Sequence, residues 1–195
     1  MNKQKMLISV EKTLFSSGSV SKKILEAMRK IDRKNFVPEN LKKYAYEDNA
    51  LSINCGQTIS QPSTVARMLS LLNLKEKDIV LEVGTGSGWN AALISYLVKK
   101  GHILSLEFYD ELLNDAKNKI KKLKLKNIRI EKQDFRKLTK KFDKIIFTAG
   151  ISLDQEKMIE DFASKNLNNG GILICPFQSG PLTIIEKKHE KIIKK

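Results

Sequence analysis

The chain has 195 residues and a hydrophobic content of 41%, which suits one ordinary globular domain with a full core and argues against a disordered chain. No apolar stretch approaches the length that crosses a bilayer, and no signal-peptide pattern opens the sequence, so neither a membrane protein nor a secreted one is expected. The formal net charge of +14 is unusual, and on its own it leaves RNA or acidic surfaces open as partners.

Cysteine and histidine are too sparse to form a binding framework. Cys55 and Cys175 lie far apart with no C-x-x-C pattern, and His102 and His189 are each isolated. The sequence therefore predicts neither a disulfide framework nor a metal site. A reduced, cytoplasmic location is the expectation that follows.

The first 50 residues have a helical pattern. Apolar side chains recur at helical spacing over residues 20–28, and Ser19 or Ser21 is a candidate N-cap for this helix. Pro38 ends the region, because the residue before a proline is pushed out of the α conformation. We therefore expect a helical N-terminal extension.

A short connecting motif leads from this extension to the next helix. Residues 51–59 carry scattered apolar positions around a glycine, which is typical of a loop or hairpin. Pro62 fits the first turn of a helix that runs on to Leu72, with Ser60 or Gln61 at its entrance.

Beyond residue 79, short apolar runs alternate with helical patterns. The alternation predicts an α/β fold of the Rossmann-like kind, with a mostly parallel, twisted sheet, right-handed crossovers and helices on both faces. A turn at residues 168–171 would stop the last helix, and residues 181–185 would add a final strand. The expected strands cover residues 79–83, 103–107, 128–132, 144–148 and 171–175. The expected helices lie near residues 88–99, 110–123 and 155–167.

The most informative segment is the E-V-G-T-G-S-G-W-N string at residues 82–90. It follows an apolar strand and opens a helix, so its glycines let the backbone turn sharply and bring free N–H groups close to a ligand. A dinucleotide fingerprint would need a third glycine where Trp89 stands, and a P-loop would need a Lys-Ser or Lys-Thr pair after the glycines. Neither feature is present. A glycine turn that only connects strand and helix is the alternative interpretation.

An acid at the end of the second strand narrows the ligand class. Glu107 lies about 20 residues past the glycines, where an acid commonly accepts hydrogen bonds from ribose hydroxyls. Together with the G-x-G-x-G loop, this arrangement resembles the S-adenosylmethionine pocket of Rossmann-like methyltransferases.

Upstream motifs make the resemblance more specific. The chain has R-x-x-F-V-P at residues 33–38, A-Y-x-D at residues 45–48 and G-Q-T-I-S-Q-P at residues 56–62, followed by the glycine loop. In this order they resemble the protein-L-isoaspartate O-methyltransferase family over roughly residues 10–175, and T-I-S-Q-P is the most specific string. That family transfers a methyl group from S-adenosylmethionine to the free α-carboxylate of isoaspartyl residues.

The resemblance implies S-adenosylmethionine as the cofactor and gives roles to individual residues. Ser60 would lie beside the reacting carboxylate as the catalytic residue, because its hydroxyl can fix one oxygen without neutralising the charge. The alternative role of Ser60 is an N-cap of the following helix. Asp134 would approach the adenine, and its alternative role is a turn or cap. The substrate-binding candidates are Thr58, Ile59 and Ser60. The cofactor-binding candidates are Glu82, Gly84, Thr85, Gly86, Ser87, Glu107 and Asp134.

Three departures from the family pattern bear on substrate recognition. Residues 133–135 read Q-D-F where the family has G-D-G, so two permissive glycines near the adenine are lost. Residues 148–154 lack the family's Ile-Pro and add Asp154, which we expect to repel a carboxylate substrate. The sequence stops at Lys195 in a lysine-rich segment, where the family generally continues to an F-V-P-L-like string.

The leading hypothesis is a repair methyltransferase that acts as a monomer on isoaspartyl-containing proteins and peptides. Residues 1–60 would form an extension that contributes to the substrate site, and residues 61–195 the S-adenosylmethionine-binding domain. Two alternatives keep the cofactor: an enzyme of the same fold that methylates RNA, and a family member that binds the cofactor without catalysis. The lysines concentrate where helix faces would be solvated, as in residues 117–124, which disfavours nucleic acid as a partner.

Overall fold

The computed structural model of the chain describes residues 2–16, 22–178, 180 and 182–195. The candidate caps Ser19 and Ser21, and Pro181 at the start of the predicted final strand, lie outside these residues. No helix within them is both long enough and apolar enough to span a membrane.

The N-terminal part is helical, as the sequence predicts, and ends in a small antiparallel hairpin. The hairpin pairs Leu51 with Ile59 and Ser52 with Thr58. The helices and strands of this part are α1 (Lys3–Ser16), α2 (Lys22–Lys30), β1 (Leu51–Ser52), β2 (Thr58–Ile59) and α3 (Pro62–Leu72), with 3-10 turns at Arg33–Asn35, Glu39–Tyr44 and Asn54–Gly56.

Strands and helices alternate through the rest of the chain. The elements are β3 (Ile79–Val83), α4 (Trp89–Leu97), β4 (His102–Leu106), α5 (Asp110–Lys122), β5 (Ile128–Glu131), β6 (Phe142–Phe147), α6 (Glu156–Asn166), β7 (Leu167–Pro176), β8 (Leu182–Lys188) and β9 (Lys191–Lys194), with 3-10 turns at Phe135–Lys137 and Leu153–Gln155.

A mixed sheet forms the centre of the molecule. Within the described residues it has seven strands in the order β5-β4-β3-β6-β7-β8-β9. The pairs from β5 to β7 are parallel, and β8 and β9 add to them antiparallel. The carboxyl ends of β3, β4, β5 and β6 therefore meet at one edge, with β3 at the point where the strand order reverses. Open α/β sheets bind their ligands at such a switch point.

Helices cover both faces of the sheet, which confirms the predicted fold class. On one face α1 to α5 pack over side chains such as Val80 and Ile103, and on the other α6 packs over Leu81. Successive strand residues point to opposite faces, so the neighbours Val80 and Leu81 belong to different hydrophobic clusters. Strand β3 is thus buried on both sides, and this explains its unbroken apolar run.

The five strands predicted between residues 79 and 175 are all present, with two differences near the C-terminal end. Strand β7 begins at Leu167 rather than at residue 171, because the glycine-rich residues join the strand through an irregular register opposite Phe142 and Lys144. Gly170 has φ +80 in this segment. The hairpin strand β9 is absent from the sequence prediction, in which this part of the chain is only a lysine-rich segment.

The N-terminal helices are part of the main core. Helix α1 contacts α3, and α2 contacts both α3 and α4. Met6 and Met28 are fully buried in the same cluster as Leu69 and Leu93 of α3 and α4. The N-terminal segment therefore supports the hairpin from a packed base, while the division at residue 60 stays a prediction.

Candidate active site

A cavity of about 780 Å³ lies at the carboxyl ends of β3 to β6. Its walls come from the glycine loop after β3, the ends of β4 and β5 with the residues that follow them, residues 148–151 after β6, and the hairpin. The predicted residues that line it are Thr58, Ile59, Ser60, Gly84, Thr85, Gly86, Ser87, Glu107 and Asp134. Segments widely separated in sequence thus converge on one space.

The glycine loop needs glycine for two separate reasons. Gly84, Gly86 and Gly88 have φ values of +100, +53 and +84, a region that L side chains rarely adopt. A Cβ on Gly84 would lie 2.7 Å from the Thr148 hydroxyl, and one on Gly88 would lie 3.2 Å from the Ala116 Cβ. These glycines allow the loop to lie close to the neighbouring strand end and to helix α5.

Glu82 is the one predicted cofactor residue that does not line the cavity. Its side chain is fully buried behind the loop, where it accepts hydrogen bonds from Asn90 Nδ2 at 2.8 Å and from Ser105 Oγ at 2.5 Å. Ser105 Oγ also lies 2.5 Å from Thr85 Oγ1. Glu82 therefore orients the loop and Asn90, which does line the cavity.

The environment of Glu82 stabilises its neutral form more than water stabilises that of an exposed glutamate. Burial raises its pKa from 4.5 to about 7, and the nearby charge of Glu107 acts in the same direction. The hydrogen bonds from Ser105 and Asn90 oppose this shift. A carboxyl group under the glycine loop thus titrates near neutral pH.

Glu107 and the glycine loop meet directly, a contact that the sequence does not predict. Glu107 Oε2 accepts the Gly86 N–H at 2.7 Å, while Oε1 accepts the N–H groups of Phe108 and Tyr109 at 2.8 and 3.0 Å. The carboxylate is 6% exposed and borders the cavity. Three amides therefore hold it in place, and its remaining lone pairs can accept hydrogen bonds from a ligand.

Two further aromatic side chains stand at the cavity wall beside Glu107. Phe108 and Tyr109 both line the cavity, and their rings meet edge to face at 5.4 Å. Phe108 is 77% exposed. Neither residue is predictable as part of a site from the sequence, because two aromatics that follow a strand have no distinctive pattern.

Ser60 lies across the cavity from the glycine loop on the short segment after β2. Within the described residues its hydroxyl has no hydrogen-bond partner in the protein, so it is available to a ligand. The predicted N-cap alternative is wrong: α3 begins at Pro62, and the Ser63 N–H is bound by Asp48 Oδ1 at 2.8 Å. The carboxylate of Asp48, the last residue of the A-Y-x-D motif, thus caps the N-terminus of α3.

Comparison with known proteins identifies the family. The family model described as protein-L-isoaspartate(D-aspartate) O-methyltransferase matches residues 2–195. The chain belongs to this family. It is 44% identical to the protein-L-isoaspartate O-methyltransferase of Thermosipho melanesiensis, over 86% of this chain and 84% of that protein. It is 41% identical to that of Pyrococcus abyssi, over 88% of this chain and 81% of that protein.

Solved structures show the same fold. A protein-L-isoaspartate O-methyltransferase superposes with a TM-score of 0.83 at 26% identity, over all of this chain, which spans 62% of that chain's length. A putative protein-L-isoaspartate O-methyltransferase from Plasmodium falciparum, in complex with S-adenosyl-L-homocysteine, superposes with a TM-score of 0.77 at 24% identity. The superposition covers all of this chain and 94% of the Plasmodium falciparum chain.

The loss of the family's G-D-G string costs the backbone nothing at this site. Neither Gln133 nor Phe135 has a positive φ, so glycine is not required there. Phe135 instead packs edge to face against Phe147 and Phe162, at centroid distances of 5.0 and 5.1 Å. The packing of Phe135 therefore anchors residues 133–135 in the hydrophobic core beside the cavity.

Asp134 is held as a turn residue, as its alternative role predicts. Its carboxylate accepts the Arg136 N–H at 2.9 Å and pairs with the Arg136 guanidinium, which lowers the pKa of Asp134. Both side chains line the cavity. The predicted approach of Asp134 to adenine stays a prediction, and the ion pair would form part of that wall.

The second departure from the family pattern, residues 148–154, lies partly at the cavity wall and partly outside it. Asp154 is exposed and does not line the cavity, so its expected repulsion of a substrate carboxylate would act through solvent and stays a prediction. The uncharged amides of Gln155 and Gln178 line this wall instead. Neither glutamine is predictable from the sequence, since isolated polar residues in loops carry no positional signal.

Proposed function

We propose that this chain is an S-adenosylmethionine-dependent methyltransferase that esterifies the free α-carboxylate of L-isoaspartyl residues in damaged proteins and peptides. Family membership and relatives with 38–44% identity over most of the chain support this activity. The observation that carries the proposal is the meeting of the T-I-S segment and the glycine loop on one cavity. One wall suits the cofactor, and the other presents a free hydroxyl.

The residues present fit S-adenosylmethionine. The glycines of the loop leave space where a Cβ would intrude, and Glu107 offers a fixed carboxylate for ribose hydroxyls. The cavity volume of about 780 Å³ is in the range of small-molecule sites. When bound, S-adenosylmethionine supplies an electrophilic methyl group on a sulfonium centre.

The protein's task in the transfer is orientation rather than proton chemistry. A carboxylate is ionised at neutral pH and is already a nucleophile, so no general base is needed. Ser60 would donate a hydrogen bond to one carboxylate oxygen and leave the other free to attack. Correct alignment of reacting groups can supply about 7–11 kcal/mol of a barrier. Buried Ile59 and Val65 line the same space and exclude water from it.

Location and assembly are part of the same proposal. Cys55 and Cys175 are free thiols, which agrees with a reduced cytoplasmic compartment. Among the described residues no group of three or more His, Cys, Asp or Glu side chains is arranged to hold a metal ion. We propose a monomer as the active form.

A labelling experiment tests the activity against both alternatives. Purified chain is incubated with methyl-labelled S-adenosylmethionine and one of three acceptors: an isoaspartyl peptide, its normal aspartyl twin, or bulk RNA. We expect base-labile label on the isoaspartyl peptide alone. Equal labelling of the two peptides would contradict the proposal. Label on RNA would favour the nucleic-acid alternative, and tight cofactor binding without any transfer would favour loss of catalysis.

A further inference from the structure

The side chain of Arg33 is completely buried and holds together two segments of the substrate wall. It comes from the R-x-x-F-V-P motif and is 0% exposed. Its two terminal nitrogens donate to five backbone carbonyls, those of Ala45 at 2.9 Å, Glu47 at 3.3 Å, Asn49 at 2.9 Å, Ile59 at 3.4 Å and Ser60 at 3.1 Å. One side chain therefore joins residues 45–49 to the two residues that end at Ser60.

A buried cation is a costly means of packing a core. Burial lowers the pKa of Arg33 to about 10 from 12.5, while the charge of Asp48 opposes the shift. Its Nε is buried without a hydrogen-bond partner in the described part of the chain. Apolar side chains of similar volume often stabilise a core as well as buried charges do. Stability alone therefore does not account for Arg33.

Asp48 completes the arrangement from the other side of Ser60. Its Oδ1 accepts the Ser63 N–H at 2.8 Å, and its Oδ2 accepts Gln61 Nε2 at 3.3 Å. The carbonyl of Ser60 is thus held by Arg33, and the Gln61 side chain and the Ser63 N–H are held by Asp48. Only the Ser60 hydroxyl is left free, and it borders the cavity.

Arg33 also contacts the side of the cavity that is formed by the glycine loop, the start of α4 and Glu107. We call this side the cofactor wall, and the side formed by residues 57–60 the substrate wall. Its guanidinium carbon lies 5.5 Å from the ring centroid of Trp89, the first residue of α4 after the glycine loop. The Trp89 ring is 1% exposed and donates its Nε1–H to the Ile31 carbonyl at 3.2 Å. The same guanidinium therefore borders both halves of the site.

We infer that Arg33 is a positioning residue, which sets the place of the Ser60 hydroxyl relative to the glycine loop by binding the carbonyls of Ile59 and Ser60. This inference rests on the proposed function. Five carbonyls in two segments need a planar donor with fixed directions, which a lysine ammonium does not provide. The charge alone is insufficient, so Arg33→Lys removes the geometry while it keeps the cation.

The test is a double-mutant cycle between Arg33→Lys and Ser60→Ala. With Ser60 present, we expect Arg33→Lys to lower kcat about 10- to 100-fold, at most as much as removal of the Ser60 hydroxyl itself. In the Ser60→Ala background it should lower kcat less than about threefold, since the group it positions is gone. Affinity for S-adenosylhomocysteine should stay within about threefold in all variants. Equal losses in the two backgrounds would overturn the inference.

Asp48→Asn serves where Arg33→Lys fails to fold, because it keeps the shape of the cap and weakens the acceptor. With Ser60 present, Asp48→Asn should lower kcat about 10-fold, and in the Ser60→Ala background it should have a much smaller effect. Lys187→Met is the control for a general loss of stability at a buried cation, since Lys187 is 2% exposed and donates to the Ser164 carbonyl at 2.7 Å, outside the cavity. It should lower the melting temperature and leave kcat unchanged.

Amide hydrogen exchange gives a readout that does not depend on activity. In Arg33→Lys the protection of residues 57–63 should fall, while residues 79–83 of β3 keep theirs. Wild-type transfer to the isoaspartyl peptide decides the proposed function, and the exchange pattern decides the role of Arg33 even if no transfer is seen. Unchanged protection over residues 57–63 would refute the inference.

Discussion

The glycine loop after β3 and the segment 58–60 face the same cavity, but different kinds of contact hold them in place. The loop lies between a strand buried on both faces and the helix it opens, and its first amides bind the Leu106 carbonyl of the adjacent strand. The segment 58–60 belongs to a two-stranded hairpin outside the main sheet. Its position depends on Arg33 and Asp48, which come from earlier motifs.

This difference separates two ways of encoding a site. The cofactor wall is determined mostly by local backbone geometry, because glycines with positive φ follow a buried strand. The substrate wall is determined by buried polar bonds between residues far apart in sequence. We therefore expect substitutions in the first wall to act on cofactor binding, and those in the second to act on turnover.

The largest expected effect is that of Gly84→Ala on the cofactor wall. The new Cβ must adopt φ +100 and would lie 2.7 Å from Thr148 Oγ1, so we expect affinity for S-adenosylhomocysteine to fall about 100-fold. Titration calorimetry measures it. Gly170→Ala is the control, because Gly170 has φ +80 with nothing within 4 Å of a Cβ and lies outside the cavity. Wild-type affinity in Gly84→Ala would contradict this account of the loop.

Ser60→Ala should show the opposite pattern. Loss of one hydrogen bond to a charged carboxylate costs about 1.5–3 kcal/mol, so kcat should fall roughly 10- to 100-fold. Cofactor affinity should hardly change, since the glycine loop is untouched. Ser52→Ala, an exposed serine on the same hairpin that does not line the cavity, should turn over like the wild type. Unchanged turnover in Ser60→Ala would remove the hydroxyl from the mechanism.

Glu82→Gln should change how stability depends on pH. Folding raises the pKa of Glu82 from 4.5 to about 7, so the folded chain binds more protons than the unfolded chain between these values. The contribution of Glu82 to stability is therefore fully present below about pH 4.5 and is lost as the pH rises to about 7.

Melting temperatures from pH 4.5 to pH 8 test this prediction. The melting temperature of Glu82→Gln relative to that of the wild type should rise with pH and should level off above about pH 7. A constant difference across the whole range would indicate that Glu82 is ionised throughout.

The smallest expected effect concerns the link between the two walls. Glu111 of α5 accepts a hydrogen bond from Asn54 Nδ2 of the hairpin at 2.6 Å, at an exposed position. Exposed polar pairs are worth about 1 kcal/mol at most, so Glu111→Ala should speed the release of S-adenosylhomocysteine less than about fivefold. Stopped-flow displacement measures the rate. Glu39→Ala removes the exposed Lys42 pair at 2.6 Å and should leave the rate unchanged.

The cofactor wall could be predicted from the sequence because its signals are contiguous. The apolar run of β3, the alternating glycines and an acid after the next strand are local patterns, and they placed Gly84, Gly86 and Glu107 on one cavity. The alternation of strands and helices likewise predicted the sheet from β3 to β7. Local periodicity reports burial directly, so these features appear in a single sequence.

The rest of the site depends on tertiary contacts that no local pattern reports. In the sequence, Arg33 and Asp48 appear only as parts of two motifs. Their hydrogen-bond partners are determined by the packing of the hairpin beside α3. The loss of G-D-G is accommodated because Phe135 packs against Phe147 and Phe162, a tertiary contact that has no local sequence pattern. Strand β9 was missed because lysines flank its two isoleucines, a pattern that also fits a solvated segment.

Strand β5 stands at one edge of the sheet among the described residues, with a consequence for how copies of the chain meet at high concentration. It is only four residues long, and Arg129 and Glu131 alternate with its isoleucines in an ion pair on one face. A short, charged edge offers few backbone groups to an approaching strand and would force that strand to desolvate the pair. The protein is thereby protected against edge-to-edge aggregation at this margin.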